Sequence, residues 1–176
     1  MTTVPRLDIT GVVDFVNHYS PRARRAAQDE DKGYRPLAEV LGPVAQGLPP
    51  LAVGKLHTLA DDAYEVFVRS QHGEDVTAAV NDLLAPARPT PRLDTDGGIA
   101  WDVADGGATL RAALGVGLLD WVHVRGEERL GLCEGVRCAD AFADSSPAGR
   151  KKFCSTGCLN RHKVAEHRRR AAARPA

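Results

Sequence analysis

The sequence predicts a mainly α chain with one small β-hairpin, divided into a helical body over residues 1–126 and a small C-terminal module over residues 127–176. Three observations carry this reading. Apolar residues recur at three- and four-residue intervals through most of the first 125 positions. Extended character is confined to two short pieces around Asp96-Gly97-Gly98. All four cysteines, Cys133, Cys138, Cys154 and Cys158, fall in the last quarter.

The body is read in order. "LDITGVVDFVNHY" places Ile9, Val12, Val13, Val16 and Tyr19 at helical spacing, which predicts a short amphipathic helix. "SPRARRAAQDEDKGYR" is charged and almost free of large apolar groups. It is either a solvated helix with Ser20 as cap and Pro21 in the first turn, or a mobile loop. "PLAEVLGPVAQGLPP" has helical character, interrupted at Gly42-Pro43 because proline cannot donate the backbone bond a helix needs. "LAVGKLHTLADDAYEVFVRS" carries the clearest signal: Leu56, Leu59, Ala63, Val66 and Phe67 share one face, and Asp61, Glu65 and Arg69 the other. A further helix is expected over "EDVTAAVNDLLA". "PARPTPRLDTDGGIAWDV" breaks the pattern and reads as a hairpin turning at Asp96-Gly97-Gly98. "GATLRAALGVGLLDWVHV" returns to helix, with Leu110, Leu114, Leu118 and Trp121 in a stripe. There are no internal repeats.

Of the 176 residues 43% are apolar and 26% charged, enough to bury a core. No apolar run approaches the ~20 residues that cross a bilayer. The start, "MTTVPRLDIT", lacks the basic and apolar regions of a secretory signal. The expectation is a cytoplasmic protein with no membrane role and with reduced thiols.

The cysteines are spaced Cys-x4-Cys, fifteen residues, then Cys-x3-Cys. Zinc binds four thiolates tetrahedrally at about 2.3 Å, and two close pairs on separate knuckles can supply that shell. Between the pairs, "CADAFADSS" alternates like a strand, "SPAG" turns it, and "RKKF" leads back; the sequence after Cys158 becomes helical. Knuckle, hairpin and a helix with the last ligand in its first turn make a treble-clef-like, four-cysteine zinc module. Three other readings compete. Free buried thiols would be scattered among the helices rather than clustered. A disulfide needs an oxidising compartment. A redox dithiol more often shows Cys-x-x-Cys. One structural Zn2+ per chain is the expected cofactor, with every ligand position filled by cysteine and none left for a reactive water.

The stretch "CEGVRCADAFADSSPAGRKKFCSTGCLNRHKVAEHRRR" resembles the CGNR-type zinc finger, found at the C-terminus of bacterial proteins described as stress-induced transcription regulators. The first Cys-x4-Cys, the fifteen-residue gap, Asp144 to Ser146, the basic pair and aromatic before Cys154, and Asn160-Arg161 all fall in register. The sequence departs from the family pattern in three places. Leu159 stands where the naming glycine would be, Ala148 stands where many members have asparagine, and the second cysteine pair is one residue tighter. None of these removes a ligand. The body, with "VVDFVNHYS" near its start, is compatible with the helical N-terminal domain of that family, often called ABATE. The resemblance implies a DNA-binding regulator whose body senses a small-molecule effector or dimerises.

The formal net charge of zero hides a split. From Arg150 onward nine basic residues face one acid, Glu166, so that segment carries +8 and residues 1–149 carry −8. Lys151, Lys152, Arg161, Lys163, Arg168, Arg169 and Arg170 are the residues expected to track phosphates. Three other readings compete for them: neutralising the −2 of a tetrathiolate zinc centre, a solvated helix end at Arg168 to Arg170 favoured by the macrodipole, and docking on an acidic partner or on the body. His57, Asp61 and Glu65 recur every four residues and could imitate an acid/base site. The same spacing sets Glu65 against Arg69 as a surface pair. His18 and His123 have no evident partner in sequence. No phosphate loop, dinucleotide fingerprint, nucleophile elbow or His-Glu-x-x-His motif is present, so no enzymatic activity is expected.

Overall fold

In the computed structural model, which describes residues 1–172, the first apolar stripe forms helix α1, Ile9–Tyr19. Residues 173–176 of the C-terminal module, Arg174 among them, lie outside the described residues. Asp8 caps α1 by accepting the Gly11 N–H at 2.9 Å, and the buried face is Val12, Phe15, Val16 and Tyr19. Ser20 ends this helix and starts the next, α2, Pro21–Ala27. Its hydroxyl accepts the Ala23 N–H at 3.1 Å and donates to Asp61 at 2.6 Å. The helical alternative for this charged segment therefore holds for seven residues, with Arg22, Arg25 and Ala26 solvated and Ala23 and Arg24 buried. Arg24 is buried, donating to the carbonyls of His18 and Asp29 and lying 4.0 Å from the Tyr34 ring centroid. The segment beyond Gln28, which takes φ 59°, runs as turn and irregular backbone to Pro36.

Helix α3, Leu37–Leu41, gives way at Gly42-Pro43 to a 3-10 segment, Gly42–Gly47, as the proline requires. Helix α4, Val53–Gln71, buries Leu56, Leu59, Ala60, Ala63, Tyr64, Val66 and Phe67, a face wider than the sequence stripe. Helix α5, Thr77–Ala87, contains Pro86. The hairpin pairs β2, Thr90–Leu93, with β3, Ile99–Val103. Its turn closes on Asp94, whose carboxylate accepts the N–H groups of Asp96 and Gly98. A third strand, β1, Thr2–Thr3, adds to the other edge of β3, giving the order β1-β3-β2. Helix α6, Thr109–Arg125, is buried continuously from Thr109 to Leu118 apart from the half-buried Arg111, which makes it the central helix. Gly117 permits this: a Cβ there would stand 2.6 Å from the Leu7 carbonyl oxygen.

The C-terminal hairpin differs from the sequence expectation. Strand β5, Ala141–Ala143, pairs with β4, Leu130–Leu132, and not with the "RKKF" segment. The reason is Asp144, which is buried and accepts the N–H groups of Ser146 and Lys151, both at 2.9 Å. Those bonds fold residues 145–151 into a tight loop instead of a returning strand. The Lys152 carbonyl then accepts the Glu134 N–H at 2.9 Å, laying the chain across the first cysteine knuckle.

The hydrophobic core is continuous across Gly126. Leu130 and Ala141 are buried in the same cluster as Phe15, Phe67 and Leu114. The Asn17 side chain donates to the Ala141 carbonyl at 2.9 Å and accepts the Ala141 N–H at 2.7 Å. Tyr64 donates to the Ala139 carbonyl, the Ser70 hydroxyl shares its one proton between the carbonyls of Glu127 and Leu130, and the Leu132 N–H donates to Gln71. The last helix, α7, Thr156–Ala172, is different. Cys158 is its only buried residue among those described, so the helix hangs from the cysteine cluster with no apolar face turned to the core. Among the described residues no helix is long and apolar enough to cross a membrane.

Candidate metal centre

The four cysteines come from three stretches of backbone. Cys133 follows β4, Cys138 ends the knuckle that starts there, Cys154 ends the loop pinned by Asp144, and Cys158 lies in the first turn of α7. Their sulfurs all lie within 4.8 Å of one another. Cys154 and Cys158 sulfurs are 3.4 Å apart, and Cys138 and Cys154 sulfurs 3.7 Å. Four bonds of about 2.3 Å at tetrahedral angles put sulfurs about 3.8 Å apart, so the cluster has the size of a zinc shell. All four are free cysteines, as four metal ligands must be.

The surroundings suit thiolates. The backbone N–H groups of Gly135 and Cys154 point at the Cys133 sulfur, at 3.4 and 3.3 Å. Gly135 eases this approach, since a Cβ would crowd the Cys158 Cβ at 3.1 Å and the Cys133 sulfur at 3.2 Å. Arg137 takes the left-handed conformation, φ 54°, that turns the knuckle towards Cys138. Arg161 donates to the Cys158 sulfur at 2.9 Å. Burial alone would raise the Cys158 thiol, but hydrogen bonds from Ser155 and Arg161 outweigh it and bring it to about 7. Burial pushes Cys154 up to about 12 and Cys138 higher still, with the Asp140 carboxylate adding to both. Such thiols ionise when a dication joins them, so zinc binding there expels protons. Asp140, whose carboxylate is 3.4 Å from the Cys154 sulfur, and Gly135 carry no sequence signal beyond standing between the ligands.

The structure gathers the four predicted ligands and disperses the predicted phosphate-tracking residues. Arg161 is turned towards the sulfurs. Arg169 and Arg170 reach back to Glu166 at 3.7 and 3.4 Å, leaving both guanidinium groups largely exposed. Lys163 and Arg168 are exposed and have no ion pair among the described residues. Lys152 faces Glu134 at 3.6 Å, and Lys151 sits 5.2 Å from the Phe142 ring centroid. Leu159 occupies a helical position within α7, where a left-handed glycine is not needed. In the body, the residues spaced like an acid/base site are held in structural contacts. Asp61 accepts from Ser20, Glu65 pairs with Arg22 and Arg69, and His57 packs on Tyr34 at 4.5 Å between centroids.

Residues 129–171 match the family model of the CGNR zinc finger, in agreement with the sulfur geometry. Together they define a zinc-binding module in which Cys133, Cys138, Cys154 and Cys158 hold one metal ion. The match covers the last quarter of the chain and leaves the helical body outside it. No curated protein matches the chain.

Proposed function

We propose that the protein is a DNA-binding transcription regulator of the cytoplasm, in which a structural zinc positions a basic helix. The observation that supports this is α7 itself: seventeen residues with one buried side chain, anchored through Cys158 and carrying Arg161, Lys163, Arg168, Arg169 and Arg170. A helix with so little packing has no role in the core, and its charge suits a polyanion. A tetrathiolate zinc centre carries −2, which Arg161 partly offsets, so the outer arginines remain available for phosphate. The body, with its ABATE-like start, has the part of sensing an effector or dimerising, and the chain is non-enzymatic in this reading.

The test is a salt titration of the zinc-loaded chain with DNA. Each phosphate neutralised contributes about 0.9 to the slope of log K against log salt on a duplex. Replacing Arg168, Arg169 and Arg170 together by alanine is expected to flatten the slope by roughly two to three units. Zinc content stays the same, because these residues lie beyond the sulfurs. An unchanged slope rejects α7 as the DNA surface. It gives the lead to the second reading, in which the zinc module and basic helix dock on an acidic protein; the exposed ion pairs of Arg169 and Arg170 with Glu166 illustrate how such a carboxylate would be met.

A further inference from the structure

A groove of about 500 Å³ opens at the start of α7, on the zinc module. Its rim is Arg150, Lys151 and Lys152, and its wall includes Phe153, Ser155 and Leu159. We infer that this groove receives an unpaired nucleotide, with phosphate on the basic rim and the base against Phe153 and Leu159. The inference rests on the DNA-binding reading and narrows it to single-stranded or locally opened DNA.

Three features lead there. The volume is that of a small-ligand cleft, which runs from roughly 300 to 1,000 Å³. The rim is cationic, and Glu134, 3.6 Å from Lys152, is the acid paired with it among the described residues. That exposed pair has little hold, so a phosphate can take its place. The N-terminus of α7 adds its own positive field on the same side. Most telling is the mixture. Phe153 and Leu159 are half-buried apolar side chains set directly beside three cations. A duplex keeps its bases stacked and offers an apolar side chain no base face, only a thymine methyl at a groove edge. An unstacked base offers a flat apolar face within one sugar of a phosphate, and an aromatic wall is how proteins hold one.

The groove is also preorganised. The Lys151 N–H is fixed to Asp144 and the Lys152 carbonyl to the Glu134 N–H, both at 2.9 Å. Phe153 packs on His162 with 5.1 Å between ring centroids, so its ring direction is set from below. Ser155 accepts the Cys158 N–H at 3.3 Å, which fixes the start of the helix. Leu159 extends the apolar wall at a position where glycine would leave no side chain.

The test compares three probes by fluorescence anisotropy on the full zinc-loaded chain: a short thymidine oligonucleotide, a strand of equal length with abasic sugars throughout, and a duplex of that length. The base-bearing strand is expected to bind about tenfold tighter than the abasic one, since stacking on one aromatic is worth that order. It should also outbind the duplex. Phe153→Leu should erase most of that margin with little change for the duplex. Leu159→Gln, which suits a helix and removes the apolar wall, serves the same purpose should Phe153→Leu lose zinc by colorimetric assay. Equal binding of base-bearing and abasic strands overturns the inference, as does parent-like behaviour of both variants; duplex binding then leaves the wider reading standing. Binding to none of the three probes removes both.

Discussion

Arg161 donates to the Cys158 sulfur at 2.9 Å from one turn further along the same helix. The contact joins the metal ligand to a residue that reads in sequence as part of a basic surface. The guanidinium, raised above its ordinary value first by that hydrogen bond and then by the charge of Cys158, serves as an outer partner of the metal shell. Removing an outer partner typically weakens metal binding roughly ten- to a hundredfold, so Arg161→Ala should bind zinc about tenfold less tightly. Competition with a chromogenic chelator at neutral pH measures this. Arg161→Lys should recover part of the loss, because an ammonium can replace the charge but not the fork.

Serine at Cys133 or Cys158 should abolish stoichiometric zinc. Structural zinc contributes on the order of 10 kcal/mol to a small module, so α7 should lose its anchor and become the first site of protease attack. Near-stoichiometric zinc in either variant would show that three sulfurs suffice.

Asn17 should prove a stability determinant out of proportion to its type. It satisfies both backbone groups of Ala141, and Asn17→Ala leaves a donor and an acceptor without partners in a half-buried place. The expected cost is about 1–3 kcal/mol, or roughly 2–4 °C of Tm per kcal/mol in a chain of this size. A chain ended after Gly126 removes Leu130 and Ala141 from the core as well. It should melt without the sharp transition of the full chain.

His18 supplies a pH dependence. Its Nε2 accepts the Arg35 N–H, which requires a neutral ring. Burial lowers its pKa below 6.5, and the nearby charges of Arg24 and Arg35 lower it further against a smaller opposing pull from Glu39. A histidine whose folded value is depressed lends stability that is complete above its unfolded value. That stability drains away as pH falls below about 6.5 towards the folded value. Thermal melts from neutral to mildly acid pH should show this decline, and His18→Gln should flatten it from a lower starting point.

What was legible in the sequence depended on whether the cause was local. The interior of α4 follows from side chains recurring on one face, and the interruption at Gly42 from the proline that follows it; α6, buried on nearly every side, exceeds its sequence stripe. The four ligands were legible because only their spacing had to be read. The pairing of β5 was not. Ala141–Ala143 could equally face the residues before the first knuckle or after the turn, and a single buried carboxylate, Asp144, decides between them. Strand β1 has only two residues, too few for a periodic signal, and exists because β3 presents an edge. Arg24 reads as a surface charge in sequence but is covered by Tyr34, which a loop brings back over it. The direction of Arg161 is likewise set by the sulfur beside it, not by its neighbours in the chain.

The two bonds between Asn17 and Ala141 span 124 residues. A ribosome adding roughly 5–20 residues per second therefore makes α1 wait on the order of 6–25 s for the strand it packs against. During that interval the face of α1 bearing Val12, Phe15 and Val16 can rest on α4 and α6, but the end near Asn17 has only water for company. The nascent chain is thus a nearly finished helical bundle with one open seam, and the zinc-bearing hairpin is the piece that closes it. Synthesis that stalls before residue 141 leaves that seam unfilled and the Asn17 side chain without the backbone it is shaped to meet.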